Sequence, residues 1–241
     1  MTMIADNLQA VRARVSAACV AAGRPVNSVT LLAVSKTFAA PAIAEAVAAG
    51  QNCFGENYIQ EAVQKIESLR QSALQWHCIG PVQSNKTRLV AQHFDWVQSV
   101  DRLRIAQRLS EQRPAHLPPL QLCIQVNTDG GANKAGVVPG DVLALAREVA
   151  LLPRLRLRGL MTIPEPAVDL EAARALHARA RRLFDQLNAA GLGLDTLSMG
   201  MSADLEAAIH AGSTMVRVGT AIFGDRTPKA DEVTSLPSPA A

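Results

Sequence analysis

Short runs of hydrophobic residues alternate along the chain with stretches in which hydrophobic residues recur every three or four positions. The runs are typical of buried strands, and the periodic stretches are typical of helices that pack one face on a core. Eight strands are predicted, over 29–35, 51–54, 75–79, 95–99, 120–126, 155–163, 195–199 and 214–218. Helices are predicted between them, over 41–49, 57–70, 84–92, 101–112, 139–151, 169–190 and 203–211.

The ends of the predicted helices carry further signals. An additional N-terminal helix is indicated by apolar residues at helical spacing, namely Ile4, Leu8, Val11, Val15 and Cys19. Gly23 and Pro25 follow the last of them and end this helix. Pro41 is predicted at a first helical position, and the N-cap candidates of later helices are Ser84, Asp101 and Ser202.

Strands that alternate with helices predict an α/β protein built as one closed (β/α)8 TIM barrel. The predicted domain spans 1–225 and includes the N-terminal helix. Residues 226–241 have little apolar content, so they are predicted to form a disordered tail. The alternative fold is an open doubly wound sheet. No Gly-x-Gly-x-x-Gly follows the first strand, however, where a dinucleotide-binding fold carries it.

Composition supports a large apolar core and disfavours several other classes of protein. Of the 241 residues, 49% are hydrophobic but only 3% are aromatic, so aliphatic side chains must fill the interior. A net charge of +3 is too small to indicate nucleic-acid binding. The first 23 residues contain charges, unlike a signal peptide, and no window reaches the roughly 18 uninterrupted apolar residues of a membrane span. We therefore expect a cytoplasmic protein with no membrane partner.

The cysteines are far apart in the sequence and include no Cys-x-x-Cys pair. Without clustered cysteine and histidine at ligand spacing, a zinc site is not predicted. We expect free, buried or half-buried thiols in a reducing compartment. The residues concerned are Cys19, Cys53, Cys78 and Cys123.

Polar and glycine-rich clusters follow the predicted strands at their C-terminal ends. Because a (β/α)8 barrel places its functional site on that face, the clusters predict a single pocket. They are Ser35-Lys36, Gly55-Glu56-Asn57, His77 with Gly80-Pro81, Asn127, Met161 to Pro164, Ser198 to Ser202, and Arg217 to Thr220.

Lys36 ends the apolar run of the first strand. Partial desolvation at this position favours the neutral amine over the ammonium form. A neutral amine can attack an aldehyde, so Lys36 is the place where a Schiff base would form. The alternative is a structural lysine that caps the strand or pairs with a carboxylate.

A phosphate cradle is predicted in the loops after the seventh and eighth strands, which is the usual phosphate site of this fold. Gly200 would let the backbone approach a ligand closely, and Ser202 would donate to an anion. Gly219 and Thr220 offer a backbone donor and a hydroxyl beside them. Alternatively, these glycines only make tight turns. The charge of Asp204 would repel a phosphate unless its side chain points away.

An amine and a phosphate cradle in one pocket predict pyridoxal 5′-phosphate, which is both an aldehyde and a phosphate ester. Arg217, at the barrel mouth, could face its pyridine nitrogen and keep that nitrogen unprotonated. An unprotonated ring is a weak electron sink, which limits the carbanion chemistry available. The alternative for Arg217 is a salt bridge with a barrel carboxylate.

Six segments of the sequence resemble the YggS/PROSC family of pyridoxal phosphate homeostasis proteins. The resemblance runs in order from about residue 29 to 225. The segments are Leu-Leu-Ala-Val-Ser-Lys36-Thr, Phe-Gly-Glu-Asn57-Tyr, Trp-His77-x-Ile-Gly-Pro-x-Gln-Ser-Asn85-Lys, Leu-Arg-Gly-Leu-Met161, Leu-Ser-Met-Gly-Met-Ser202 and Met-Val-Arg217-Val-Gly-Thr-Ala-Ile-Phe-Gly224.

The resemblance implies a fold-type-III barrel, like the N-terminal domain of alanine racemase without its β-domain, with pyridoxal phosphate on Lys36. It further implies that Ser202, Gly219 and Thr220 hold the phosphate and that Arg217 holds the ring nitrogen. Pocket-lining roles are implied for Asn57, His77, Ser84 and Met199. Phe38 and the glycine-rich loop 129–134 depart from the family pattern.

The predicted function is that of a carrier, which stores or delivers the cofactor, with apo enzymes as possible partners. Racemisation by two bases needs a second acid/base group opposite the lysine. The only tyrosine, Tyr58, is expected to pack or hydrogen bond, and no catalytic residue is assigned. We expect a monomer. The alternatives are a weak amino-acid racemase and a lysine aldolase that acts on a sugar phosphate.

Overall fold

Eight parallel strands close into a barrel, in the order in which they occur along the chain. They belong to a computed structural model, which describes residues 2–131 and 134–224. The predicted tail, 226–241, lies outside these residues. The strands are β1 (Thr30–Val34), β2 (Cys53–Glu56), β3 (Gln75–Cys78), β4 (Trp96–Val100), β5 (Leu120–Val126), β6 (Leu155–Thr162), β7 (Thr196–Ser198) and β8 (Met215–Val218).

Helices surround the barrel and connect its strands. They are α1 (Met3–Ala21), α2 (Ala40–Ala48), α3 (Ile59–Ser68), α4 (Thr87–His93), α5 (Leu103–Gln112), α6 (Val142–Ala150), α7 (Leu170–Ala189), α8 (Leu205–His210) and α9 (Thr220–Phe223). A 3-10 turn, Pro139–Asp141, precedes α6. None of the described helices is long and apolar enough to cross a membrane.

The predicted closed barrel is confirmed, because β1 pairs with β8 along four consecutive residues, from Thr30 with Met215 to Ala33 with Val218. Each predicted strand has its counterpart, with ends that differ by at most two residues. The short helix α9 was not predicted, since four residues are too few to show a helical period.

Three of the predicted N-caps are wrong, because turns intervene between the strands and the helices. The caps of α4, α5 and α8 are Lys86, Arg102 and Asp204, none of which makes a side-chain capping bond. They replace the predicted caps Ser84, Asp101 and Ser202. Pro41 lies in the first turn of α2, one residue after its start.

Side chains alternate between the two faces of the strands. Outward residues such as Ala33, Val97 and Val216 join the core between the strands and the helices. Inward residues form two smaller apolar clusters, Leu32 with Cys53 and Met215, and Trp96 with Cys123 and Met161. All four cysteines are free and buried, as predicted.

Candidate functional site

A cavity of about 320 Å³ opens at the C-terminal ends of the strands. Its lining combines apolar walls with a lysine, an arginine, two hydroxyl groups and exposed backbone. The lining residues are Val34, Lys36, Phe38, Asn57, Ile79, Ile163, Met201, Ser202, Ala203, Arg217, Gly219, Thr220 and Gly224.

Lys36 enters the cavity from a tight turn that follows β1. The turn is closed by a hydrogen bond from the Phe38 N–H to the Ser35 carbonyl, 3.1 Å long. Thr37, within the turn, has φ +71°, which is unfavourable for a β-branched residue. Lys36 itself is half-buried. The end of β1 therefore places Lys36 among the residues that line the cavity.

A buried ion pair lies beside this turn, between the last residue of β2 and the helix that follows it. The Lys65 Nζ lies 2.8 Å from Glu56 Oε1 and 3.0 Å from the Ser35 carbonyl oxygen. The Ser35 hydroxyl donates to the same Glu56 oxygen over 2.6 Å. Burial raises the pKa of Glu56, an effect that the charge of Lys65 partly offsets. Lys65 lies within a predicted helix, and the sequence predicts no role for it in the site.

Arg217 is held in the barrel interior by neutral oxygen atoms. Its guanidinium donates to the carbonyl and the hydroxyl of Ser198, both at 2.8 Å, and to the Thr162 carbonyl at 2.8 Å. Among the described residues it forms no salt bridge, so the alternative of a carboxylate partner is wrong. Burial lowers the pKa of Arg217 to about 10, and the group stays charged at neutral pH.

The Ser198 hydroxyl begins a hydrogen-bonded chain that crosses the barrel. Ser198 donates to Gln98 Oε1 over 2.7 Å, and Gln98 Nε2 lies 2.9 Å from His77 Nδ1. His77 stacks on Trp96, with ring centroids 5.0 Å apart. Burial lowers the pKa of His77 to about 3, so its ring is neutral and its Nδ1 accepts from Gln98. His77 thus supports the floor of the cavity and is not among its lining residues.

The β7–α8 and β8–α9 loops meet at one side of the cavity. Ser202, Gly219 and Thr220 line it together. A Cβ at Gly219 would lie 3.2 Å from the Val34 carbonyl oxygen, so a larger residue would crowd the end of β1. The two loops therefore present hydroxyl groups and backbone to the same space as Lys36.

Gly200 and Met199 precede this loop but are not lining residues. Gly200 has φ +95°, and a Cβ there would lie 2.4 Å from the Ala208 Cβ. The glycine is thus required by backbone conformation and by the packing of α8. Met199 is fully buried. Ser84 lies in the turn before α4, where its carbonyl accepts from Thr87 and Arg108.

Asp204 points away from the cavity, which removes the conflict with a bound phosphate. Its two oxygens contact the Met201 N–H at 2.6 Å and His177 Nε2 on α7 at 2.8 Å. Burial raises the pKa of Asp204, but the hydrogen bonds from His177 and Met201 outweigh this effect and hold it below the usual value. The carboxylate therefore anchors the start of the 201–203 loop from below.

A second, more open cavity of about 770 Å³ adjoins the first. The two share Asn57, and Thr37 lines the second one beside the Lys36 turn. Tyr58 lines this neighbouring cavity, with 54% of its surface exposed, and not the cavity that contains Lys36.

Six of the ten predicted cofactor-binding residues thus line one cavity. They are Lys36, Asn57, Ser202, Arg217, Gly219 and Thr220. The other four are not among the lining residues. They are His77, Ser84, Met199 and Gly200. No group of three His, Cys, Asp or Glu side chains suited to a metal ion occurs within 2–131 and 134–224.

The family described as alanine racemase, N-terminal domain, matches residues 6–227. A pyridoxal phosphate homeostasis protein from Pseudomonas aeruginosa is 60% identical over 226 residues, which cover 94% of this chain and 97% of the relative. The chain belongs to the pyridoxal phosphate homeostasis protein family. This confirms the family resemblance that the sequence segments indicated.

Two solved structures relate this family member to known folds. PipY from Synechococcus elongatus, with PLP bound, is 39% identical with a TM-score of 0.80, over 92% of this chain and all of that one. An alanine racemase from Corynebacterium glutamicum has a TM-score of 0.66 at 20% identity, over 92% of this chain and 61% of that one. The second likeness concerns the fold alone, and it agrees with the barrel described above.

Proposed function

We propose that this protein binds pyridoxal 5′-phosphate in the cavity at the barrel mouth and holds it as a Schiff base on Lys36. The observation that carries the proposal is the convergence of an amine, a guanidinium and a hydroxyl-rich pair of loops on one cavity. The PLP bound to PipY, a relative that matches over its whole length, supports the same ligand here.

The residues present fit this cofactor group by group. The Ser202 and Thr220 hydroxyls and the backbone at Gly219 would hold the phosphate, and Asp204 is turned away from them. The charged guanidinium of Arg217 donates to three oxygen atoms that carry no formal charge, which suits a ligand that is itself an acceptor. When bound, the cofactor supplies an aldehyde that condenses with an amine with loss of one water molecule.

Arg217 would restrict what the bound cofactor can do. A guanidinium only donates hydrogen bonds, so it would leave a facing ring nitrogen unprotonated. The resulting weak electron sink disfavours carbanion chemistry at a bound amino acid. This property suits a protein that holds the cofactor without turning over a substrate.

We further propose that the protein stores pyridoxal phosphate or delivers it to apo enzymes. Among the described residues that line the cavity, Lys36 is the only one whose side chain is suited to accept and return a proton. Tyr58 lies in the neighbouring cavity and is exposed. The names of the relatives, which refer to homeostasis, agree with this role.

The Schiff base can be tested by reduction with borohydride followed by mass spectrometry of the digested protein. We expect one pyridoxyl group, on the peptide that contains Lys36, and none in Lys36→Ala. The matched control is Lys86→Ala, which removes an amine from the neighbouring cavity and should leave the label in place. A pyridoxyl group found mainly on another lysine would contradict the proposal.

The carrier role can be tested by following the exchange of amino-acid α-protons into deuterated water. We expect exchange no faster than that caused by free pyridoxal phosphate at the same concentration. Rapid exchange that depends on Lys36 would instead establish the alternative function, a weak racemase.

A further inference from the structure

We propose that the buried pair of Glu56 and Lys65 is a positioning device for Lys36. The pair would hold the turn after β1 so that the Lys36 amine meets the cofactor aldehyde in a reactive orientation. This inference rests on the Schiff base proposed above, and it assigns to Glu56 and Lys65 a function beyond structural stability.

The contacts of the pair lead directly to the residue before Lys36. Ser35 is bound through its carbonyl, which accepts from Lys65 Nζ at 3.0 Å, and through its hydroxyl, which donates to Glu56 Oε1 at 2.6 Å. Its N–H donates to the Gly55 carbonyl at 3.0 Å. Every hydrogen-bonding group of Ser35 is thereby fixed by β2 or by α3, the helix that follows β2.

The turn that carries Lys36 is strained and depends on the position of Ser35. The Ser35 carbonyl that accepts from Lys65 also accepts the Phe38 N–H that closes the turn. Within the turn, Thr37 has φ +71°, a conformation that a β-branched residue adopts only when its surroundings enforce it. A change in the turn would move Lys36 relative to Arg217 and the phosphate loops.

Because it is buried, the ion pair has no energetic advantage over apolar residues if packing is its only role. Glu56 is fully buried and Lys65 is 8% exposed. Buried ion pairs are often replaced by well-packed apolar residues with no loss of stability, because desolvation of the charges offsets their attraction. The pair differs from an apolar replacement in providing directional bonds to Ser35, and those bonds act on the position of Lys36.

The two charges of the pair also compensate each other beside the turn that carries Lys36. Glu56 Oε1 receives both donors, and Glu56 Oε2 is buried without a hydrogen-bond partner among the described residues. Loss of Lys65 would leave this carboxyl group to take up a proton or to seek another donor. Either response changes the bonds to Ser35, so Lys65→Met and Glu56→Gln should affect the same step.

The test is the rate at which Lys36 forms the imine, measured by stopped-flow absorbance after pyridoxal phosphate is mixed with cofactor-free protein. We expect Lys65→Met and Glu56→Gln to slow this step roughly tenfold to a hundredfold, the range expected when a reacting group is misplaced by about 1 Å. Binding of 4′-deoxypyridoxine 5′-phosphate, which lacks the aldehyde, should change by less than about twofold, since the phosphate and ring contacts remain.

Two further variants separate positioning from stability. Leu109→Ala opens a cavity in the fully buried core under α5, which is remote from the Lys36 turn, and should lower stability without slowing imine formation. Ser35→Ala keeps the ion pair and removes only the hydroxyl bond to Glu56, so it serves if the charge variants fail to fold. We expect it to slow imine formation by severalfold.

The outcomes are distinguishable from a failure of the proposed function. Absence of an imine on Lys36 in the wild-type protein would contradict the Schiff base itself. A wild-type imine with unchanged rates in the Ser35 variant and in the folded Glu56 and Lys65 variants would overturn the positioning role alone. Rates that fall equally in Leu109→Ala would also overturn it, because the effect would then follow stability.

Discussion

Arg217 is bound to acceptors that carry no formal charge, although it lies inside the barrel with only 4% of its surface exposed. A guanidinium held by carbonyl and hydroxyl oxygens keeps most of its charge available to a ligand in the cavity. Gln98 and His77 extend this support from the floor, because they fix the direction in which the Ser198 hydroxyl points. Ser198, Gln98 and His77 are therefore expected to influence ligand binding by positioning Arg217.

Ser198→Ala tests this chain. The substitution removes an acceptor of Arg217 and leaves Gln98 Oε1 buried without its donor, which costs about 1–3 kcal/mol. We expect a lower free energy of unfolding in urea and weaker binding of pyridoxal phosphate. Ser110→Ala is the control, since Ser110 donates to the Pro153 carbonyl far from the cavity. It should lose stability and keep the affinity. Equal affinity in both variants would contradict the support of Arg217 by Ser198.

Among single residues, the polar side chains near the C-terminal ends of the strands could be predicted from the sequence. The buried side chains that support them could not. Lys36 is conspicuous as a charge that ends an apolar run, and Arg217 as a single charge within one. Gln98 lies within a predicted strand, and only the alternation of faces in the closed barrel directs it to Ser198. Lys65 looks like any lysine of an amphipathic helix, and its burial depends on the position of β2.

The pairing of β6 with β7 requires a glycine. Of all the glycines, Gly159 on β6 has the least room, since a Cβ there would lie 1.6 Å from the carbonyl oxygen of Thr196 on β7. Those two residues are partners in the parallel register. The glycine thus allows β7, a strand of three residues, to pair with β6 in the barrel.

Gly159→Ala should therefore separate β6 from β7. We expect a loss of about 3 kcal/mol in the free energy of unfolding, at the upper end for overpacking, because the obstacle is backbone and cannot rotate away. The measurement is urea denaturation followed by circular dichroism. Gly140→Ala is the matched control, since no atom of the part of the chain that the structure describes lies within 4 Å of a Cβ there. A similar stability for both variants would show that the β6–β7 contact adapts.

The order of strands and helices could be predicted from the sequence. The conformation of the loops between them could not. The alternation of apolar runs with periodic stretches is repeated often enough to establish the barrel. The incorrect caps at Ser84, Asp101 and Ser202 arose because a polar residue before a helix can belong to a preceding turn. The role of Asp204 depends on His177 of α7, a contact between the start of α8 and a different helix.

The stability of the whole molecule should depend on pH through its paired carboxylates. In Asp129, Asp195 and Asp204, burial raises the pKa, but ion pairs and hydrogen bonds outweigh it and the pKa lies below the usual value. Stability from such groups is present above their unfolded pKa of about 3.9 and is lost as the pH falls through the folded pKa. Glu56 and Asp95, whose pKa values burial raises, act in the opposite direction.

Asp204→Asn isolates one of these contributions. Its amide keeps an acceptor for the Met201 N–H and removes the charge next to His177. We expect the free energy of unfolding to fall less between about pH 6 and pH 3 than it does in the wild-type protein. Asp141→Asn changes an exposed carboxylate and should keep the wild-type slope. An unchanged slope in Asp204→Asn would contradict the stabilising role of this carboxylate.

Pairing of β1 with β8 joins the two ends of the barrel, and it has a consequence for synthesis of the protein. Lys36 leaves the ribosome well before Arg217 and Thr220, which line the same cavity. Contacts so distant in sequence form late in folding, since a long loop must be closed first. A nascent chain therefore exposes the Lys36 amine before the rest of the cavity exists, and the barrel can enclose its cofactor only after β8 has been synthesised.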